Sequence, residues 1–233
     1  MKNFSFAVKE IIPIMFEYIF VGIAFGMLLN DAGYNAVWAF ICGFFIYAGS
    51  MQIVMISLMT SGVPLYMIAV MTFFINARHI FYGLGFVNKF RKMGWKYPYM
   101  VLTMTDETYS IRCNIKYPEE VDEQKVDFYI ALLPHLLWTV SCVIGAMLGG
   151  ILHFDMTGIE FSATAFFVTV CVNQWTQFGS RIPAVAGLIS AVLFYIILGA
   201  DNFLLPALSV SLVVLIIMKD KVMLQMGGMQ DVR

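Results

Sequence analysis

Eight apolar runs, at 11–29, 37–59, 63–87, 97–111, 128–154, 161–178, 182–198 and 203–218, carry most of this 233-residue chain. A helix needs about 20 apolar residues to cross the hydrocarbon core of a bilayer, and most of the runs approach that length. Lipid offers the backbone no hydrogen-bond partner, so each run must satisfy its own amides, as a helix does. No stretch alternates with a period of two, which argues against a barrel. Charged residues make up 12% of the chain and hydrophobic ones 61%, whereas soluble domains carry about 25% charge. So little charge does not cover a water-facing surface. The expected fold is an all-α integral membrane protein, a polytopic bundle of about seven crossing helices plus one short, partly inserted segment. It would form one transmembrane domain over residues 1–233, multi-pass in the cell (cytoplasmic) membrane.

The crossing number follows from loop charge. Lys89, Arg91, Lys92 and Lys96 give the strongest cytoplasmic signal, and Lys219 and Lys221 the second. Asp31, Asp155, Glu160 and Asp201 mark loops without lysine or arginine. Eight full crossings from an inner N-terminus put the four-cation loop outside. Seven crossings, with 97–111 entering and not crossing because it holds Asp106 and Glu107, put that loop and the tail inside. They leave Lys2 and Lys9 outside, partly offset by Glu10. A third arrangement makes 37–59 a re-entrant loop and satisfies every charge, but uses the longest uncharged run as a loop. Seven is the preferred count. The run behind Lys2 and Lys9 continues through Leu29 without a clear small-x-small cleavage site, so it reads as a retained helix and not a signal peptide.

A faint internal repeat is visible. Phe44-Phe45 precedes Gln52 by the spacing at which Phe166-Phe167 precedes Gln174. Pro13 and Pro134 open the preceding segments, and GxxxG follows in both, at Gly22/Gly26 and Gly145/Gly149. Tentative halves are 1–115 and 127–220. With seven crossings the halves run in opposite directions, an inverted repeat with broken helices of the kind that places a transporter site at the midplane. Chance in a small apolar alphabet gives the same pattern as readily.

Polar motifs inside the apolar runs mark candidate sites, because a charge at membrane depth costs roughly 2.5–3.5 kcal/mol on insertion scales and is usually kept for function. Tyr47-Ala48-Gly49-Ser50-Met51-Gln52 combines small residues with donors and acceptors. Gly49 weakens the helix there by roughly 1 kcal/mol relative to alanine. A break frees amides and carbonyls that can hold a zwitterion. The alternative is a packing seam of small residues. The matched Cys171-Val172-Asn173-Gln174 would supply an opposite wall through Asn173 and Gln174. Asn76 and His79 are three apart and share a helix face, while Arg78 points elsewhere. Arg78 either snorkels to an interface or, with His79 as the other candidate cation, pairs with Asp106 or Glu107 as a structural or titrating ion pair. Glu17 lies within the first run, either near headgroups or facing the bundle as a proton or ammonium site. His135 and His153 read as interfacial.

Other classes find little support. The net charge of −1 argues against nucleic acid. The chain has no HExxH, P-loop, GxSxG or CxxC, so it reads as neither an enzyme nor a metal protein, and no cofactor is expected. Cys42, Cys113, Cys142 and Cys171 read as reduced packing residues. A Ser50–His79 dyad is the kind of pair any polytopic chain yields by chance. Two readings remain beside a transporter for one solute class: a transporter or channel for another small solute, and a structural membrane subunit without its own substrate site.

The order Pro13…Gly22-Ile23-Ala24-Phe25-Gly26, Tyr47-Ala48-Gly49-Ser50-Met51-Gln52, Thr72-Phe73…Asn76-Ala77-Arg78-His79…Tyr82-Gly83 and Thr105-Asp106-Glu107 resembles the AzlC family of branched-chain amino acid permeases. The match is clear over about the first half of the chain. The resemblance implies the large subunit of an exporter of leucine, isoleucine and valine, and a small AzlD-like membrane partner. It departs at Glu17, where family members often carry glycine, and this bears on substrate and coupling. A branched-chain amino acid needs an apolar pocket and a few polar groups for its two charges. Phe44, Phe45, Met51 and Ile53 flank the polar stretch for the first. Tyr47, Gly49, Ser50, Gln52, Asn76, Asn173 and Gln174 serve the second. With no nucleotide motif, proton coupling or partner-assisted antiport is expected, with coupling residues drawn from Glu17, His79, Asp106 and Glu107.

Overall fold

A computed structural model describes residues 2–151, 161, 164–165, 168–169, 171–172, 175–176, 180–199 and 203–222, with only the backbone described at 78, 80, 81, 83, 84, 204 and 205. The described residues are helical, with no strand among them. The chain divides into two compact units, Met1–Thr164 and Ala165–Arg233. The first holds α1 (Lys2–Asp31), α2 (Ala36–Ile41), α3 (Gly49–Thr60), α4 (Leu65–Arg91), α5 (Tyr97–Leu102), α6 (Asp106–Asn114) and α7 (Glu123–Ile151). The second contains α8 (Ile182–Leu198) and α9 (Leu204–Ile217), which pack together. By length and composition α1 and α7 are each able to cross a membrane.

The first unit is built on the α1–α7 pair. Phe4 meets the Tyr129 ring, Ala7 and Ile11 cluster with Val126 and Ile130, and Gly149 lies against Met27 and Asn30. Residue numbers rise together along both helices, so they run parallel. Their glycines explain the close approach: a Cβ on Gly26 would strike the Cys142 carbonyl, and one on Gly145 the Ile23 carbonyl. Without side chains at these positions the two backbones touch. This corrects the opposed directions expected for 11–29 and 128–154, and with them the inverted repeat. The two GxxxG motifs mesh with each other, and that meshing sets the parallel pair. Pro13 and Pro134 lie inside these helices and do not open them.

Polar contacts fix the direction of α4. Lys89 near its end reaches Asp127 at 2.8 Å near the start of α7. The start of α1 is tied to the same end by Lys2 to Glu120, and by Asn3, which accepts from the Asp122 amide. One end of the unit thus gathers Lys2, Lys89, Arg91, Lys92, Lys96 and Lys116. The 27 residues of α4 extend about 40 Å, so Leu65 lies at the opposite end, with Asp31.

The segment between α1 and α4 therefore leaves and returns at one end. It descends as α2, passes through a π turn (Cys42–Ile46), breaks at Tyr47 and Ala48, and climbs back as α3. This corrects the reading of 37–59 as a crossing helix: the break at its middle reverses the chain. Tyr47 sits in the left-handed region at φ 42°, a conformation that costs a non-glycine residue about 1–3 kcal/mol. A second hairpin enters from the cationic end. Lys96 lies over the Phe128 ring at 4.3 Å, α5 rises to Thr103, and α6 returns from Asp106 toward Tyr117. Thr105 caps α6 in a reciprocal box with Thr108, which satisfies two amides at the turn.

A buried ion cluster anchors this second hairpin. Asp127 is fully buried and Arg112 nearly so, with Arg112 Nε 3.6 Å from Asp127 Oδ1 and Arg112 Nη2 donating to the Asp127 carbonyl. Tyr117 donates to Asp127 Oδ1 at 2.8 Å. Burial and the Asp127 charge push its phenol well above the ordinary tyrosine range, so it remains a donor at every physiological pH.

Candidate functional site

The two hairpin tips meet at the middle of α1 and α7. Tyr18, at the centre of α1, bridges them. Its ring packs edge-on to Tyr47 of the first tip with centroids 6.5 Å apart, and its hydroxyl lies 2.8 Å from the Thr105 hydroxyl of the second. The same hydroxyl donates to Glu107 at 2.9 Å. Tyr18 has one proton and gives it to the carboxylate, so Thr105 donates to Tyr18, and the three form one directed chain.

From α7, His135 and Trp138 close the first tip. His135 Nε2 lies 2.9 Å from the Phe44 carbonyl and its Nδ1 2.9 Å from the Tyr99 hydroxyl, with the Tyr47 ring tilted against the imidazole at 4.5 Å. The Phe44 carbonyl is exposed to this contact because the π turn carries it out of the regular helical ladder. Trp138 donates its indole N–H to Gln52 Oε1 at 3.0 Å, stacks on Phe25 and meets the Tyr18 ring edge-on. Gln52 Oε1 also accepts from the Ala48 amide at 3.2 Å, so Gln52 caps its own helix where Ala48 has no side chain to do so.

The sequence-derived candidates fall into three groups. Tyr47, Gly49, Ser50 and Gln52 form the first tip; Tyr47, Ser50 and Gln52 are buried, and a Cβ on Gly49 would sit 3.3 Å from Trp138 Cη2. Asp106 and Glu107 open α6 at the second tip. His79 Nε2 approaches Asp106 Oδ1 to 4.0 Å, and Asn76 precedes His79 by one turn of α4. Glu17 adjoins Tyr18, whose hydroxyl donates to Glu107. So Glu17, His79, Asp106 and Glu107 gather around one tip. Asn173, Gln174, His153 and the side chain of Arg78 lie outside the described residues.

Two expectations are corrected. His135 is not interfacial: it is 4% exposed at the centre of α7, because the first hairpin folds onto it. Phe45 turns outward at 72% exposure and does not line the junction, whereas Met51 and Ile53 are buried there. The sequence reading also missed Tyr18, Trp138 and the Arg112–Asp127 pair. The spacing of Thr105 and Thr108 before a helical stretch is a capping signal that was available. Tyr18 and Trp138 look like ordinary aromatic residues of apolar helices until the fold brings the tips to them. Among the described residues no cluster of histidine, cysteine and carboxylate side chains fits a metal ion.

The junction has the elements that bind a small dipolar solute. The N-termini of α3 and α6 both lie at it, with the positive ends of their dipoles. The carboxylates of the second tip offer the opposite charge. The helix ends at Ile46 and Leu102 add carbonyls.

Comparison with known proteins places the chain in a family. A family model described as AzlC protein matches residues 13–152. The chain is 32% identical to the branched-chain amino acid transport protein AzlC of Bacillus subtilis, over 93% of this chain and 85% of that one. It is likewise 32% identical to an uncharacterized membrane protein of Helicobacter pylori, over 94% of this chain and 96% of that protein. Identity to the inner membrane protein YgaZ of Escherichia coli is 24%, over 72% of each chain. No solved structure matches the chain.

Proposed function

Because this chain belongs to the AzlC family, we propose that it is the large subunit of a secondary transporter exporting leucine, isoleucine and valine, proton-coupled and working with a small AzlD-like membrane subunit. The observation that carries this reading is the meeting of two opposed, broken hairpins at Tyr18. Discontinuous helices at the midplane present backbone groups to both charges of an amino acid, while the surrounding apolar residues accept its side chain. The printed name of the Bacillus subtilis relative supplies the substrate class.

The same geometry supports a topology. The positive-inside rule assigns the end with Lys2, Lys89, Arg91, Lys92 and Lys96 to the cytoplasm. On that assignment α1 and α7 cross outward, α4 crosses inward, and the two hairpins enter from opposite faces. Each hairpin then screens the junction from one side, which is what alternating access requires. Energy for export comes from proton movement through the group formed by Glu17, His79, Asp106 and Glu107, since the sequence has no nucleotide-binding motif.

Efflux from cells preloaded with labelled leucine tests the proposal. Expression of this chain with its small neighbouring subunit is expected to accelerate loss of label. Unchanged efflux with both subunits confirmed in the membrane would overturn the export reading.

A further inference from the structure

One buried donor at the first tip has no acceptor. Gln52 is fully buried, and its Nε2 lacks a hydrogen-bond partner among the described residues. The orientation of the amide is not arbitrary. The two groups at the other terminus of the amide, Ala48 N–H at 3.2 Å and Trp138 Nε1–H at 3.0 Å, can only donate. The oxygen must face them, so Nε2 must face away. Trp138 cannot easily release it, since its ring is held between Phe25, stacked at 6.4 Å, and the edge-on Tyr18 ring at 5.5 Å.

The same spot is the N-terminus of α3. Ala48 and Gly49 leave its first amides uncovered by any side chain of their own, and Gln52 curls back to that terminus through its bond to Ala48. The Gln52 oxygen thus answers that terminus, and Nε2, turned away from it, is the donor left for an acceptor. A buried donor without an acceptor is costly to maintain, and a ligand acceptor would remove that cost.

We propose that Trp138 fixes Gln52 so that its Nε2 binds the carboxylate of the transported amino acid. This rests on the transporter reading above and adds to it a direction for the substrate. Gln52 touches the carboxylate, and Trp138 acts through Gln52 as a positioning residue. Glu107 accepts from Tyr18 at the other tip, so the ammonium group faces the carboxylates and the carboxylate faces Gln52.

Binding of leucine and of leucinamide, which carries a neutral amide in place of the carboxylate, tests this with the full-length chain purified together with its small subunit. Wild type is expected to prefer leucine by about tenfold, since hydrogen bonds to a charged acceptor are roughly twice as strong as neutral ones. Gln52→Glu sets a like charge against the ligand carboxylate and should bring the preference to unity or reverse it. Trp138→Phe keeps an aromatic ring but removes the indole N–H, so the amide is free to turn and the preference falls. A purely structural role for Trp138 would weaken both ligands equally and leave their ratio unchanged. If Gln52→Glu does not accumulate, the Trp138→Phe ratio decides alone. Leucine binding with an unmoved ratio in the variants overturns the carboxylate site only. Binding of neither ligand by wild type overturns the site and the transporter reading together.

Discussion

The Tyr18 hydroxyl lies 2.8 Å from that of Thr105, joining the centre of α1 to a helix break 87 positions along the chain. With Glu107 it forms a directed chain of hydroxyls ending on a carboxylate. Tyr18→Phe removes the hydroxyl, takes one hydrogen bond from each of Thr105 and Glu107, and keeps the ring contacts with Tyr47 and Trp138. The expected loss is about 1–3 kcal/mol of stability, read as a lower melting temperature of the purified protein. An unchanged melting temperature would show that the tips are held by other contacts.

The ion cluster at the cationic end makes a second prediction. Asp127 is fully buried, with Arg112 and Lys89 both beside it. Asp127→Ala strands the buried Arg112 and is expected to cost about 3–5 kcal/mol. The amount of monodisperse protein recovered from membranes measures this, and should fall sharply. Recovery equal to wild type would mean that α6 does not depend on this anchor.

The topology can be read with single cysteines in a cysteine-free background. Residues at Asn35 and Ser61 flank the first hairpin and lie at the end opposite Lys92. A membrane-impermeant thiol reagent should label cysteines at 35 and 61 in intact cells and spare one at 92. Labelling of 35 and 61 from opposite faces would restore a crossing helix between them.

Much of the candidate site was legible in the sequence, because polarity in an apolar run is conspicuous. The Tyr47–Gln52 and Thr105–Glu107 stretches are the two hairpin tips, and Asp106 and His79 approach each other as the pairing of cations with carboxylates suggested. The path of the chain was less legible. Run length alone does not separate a crossing helix from two half-length helices with a break, and 37–59 is long enough for either. The deciding information is the π turn and the left-handed Tyr47, which His135 and Trp138 stabilise from 86 or more positions away. Direction failed for a related reason. GxxxG announces a close helix partner without naming it, and here each motif's partner is the other motif.

If transport is proton-coupled as proposed, the second tip is where coupling is expected. His79 faces Asp106, Glu107 is engaged by Tyr18, and Glu17 completes the group. Asp106→Asn is expected to retain exchange of leucine for leucine while losing acceleration of net efflux by external acid. The sign follows from antiport, because a lower outside pH drives protons inward as leucine leaves. If Asp106→Asn and Glu107→Gln both keep the full response to external pH, the proton path runs instead through Glu17 or His79.

The central claim is that a branched-chain amino acid binds where the hairpin tips meet. Exchange of labelled leucine into vesicles preloaded with unlabelled leucine tests it most directly, comparing wild type with Gly49→Leu. Position 49 packs on Trp138, where even a Cβ would lie 3.3 Å from the ring, so a leucine side chain there fills the junction. The account predicts saturable exchange by wild type that valine and isoleucine suppress, and none by Gly49→Leu present at equal amounts in the membrane. Exchange by Gly49→Leu at the wild-type rate, or wild-type exchange indifferent to valine and isoleucine, would contradict it.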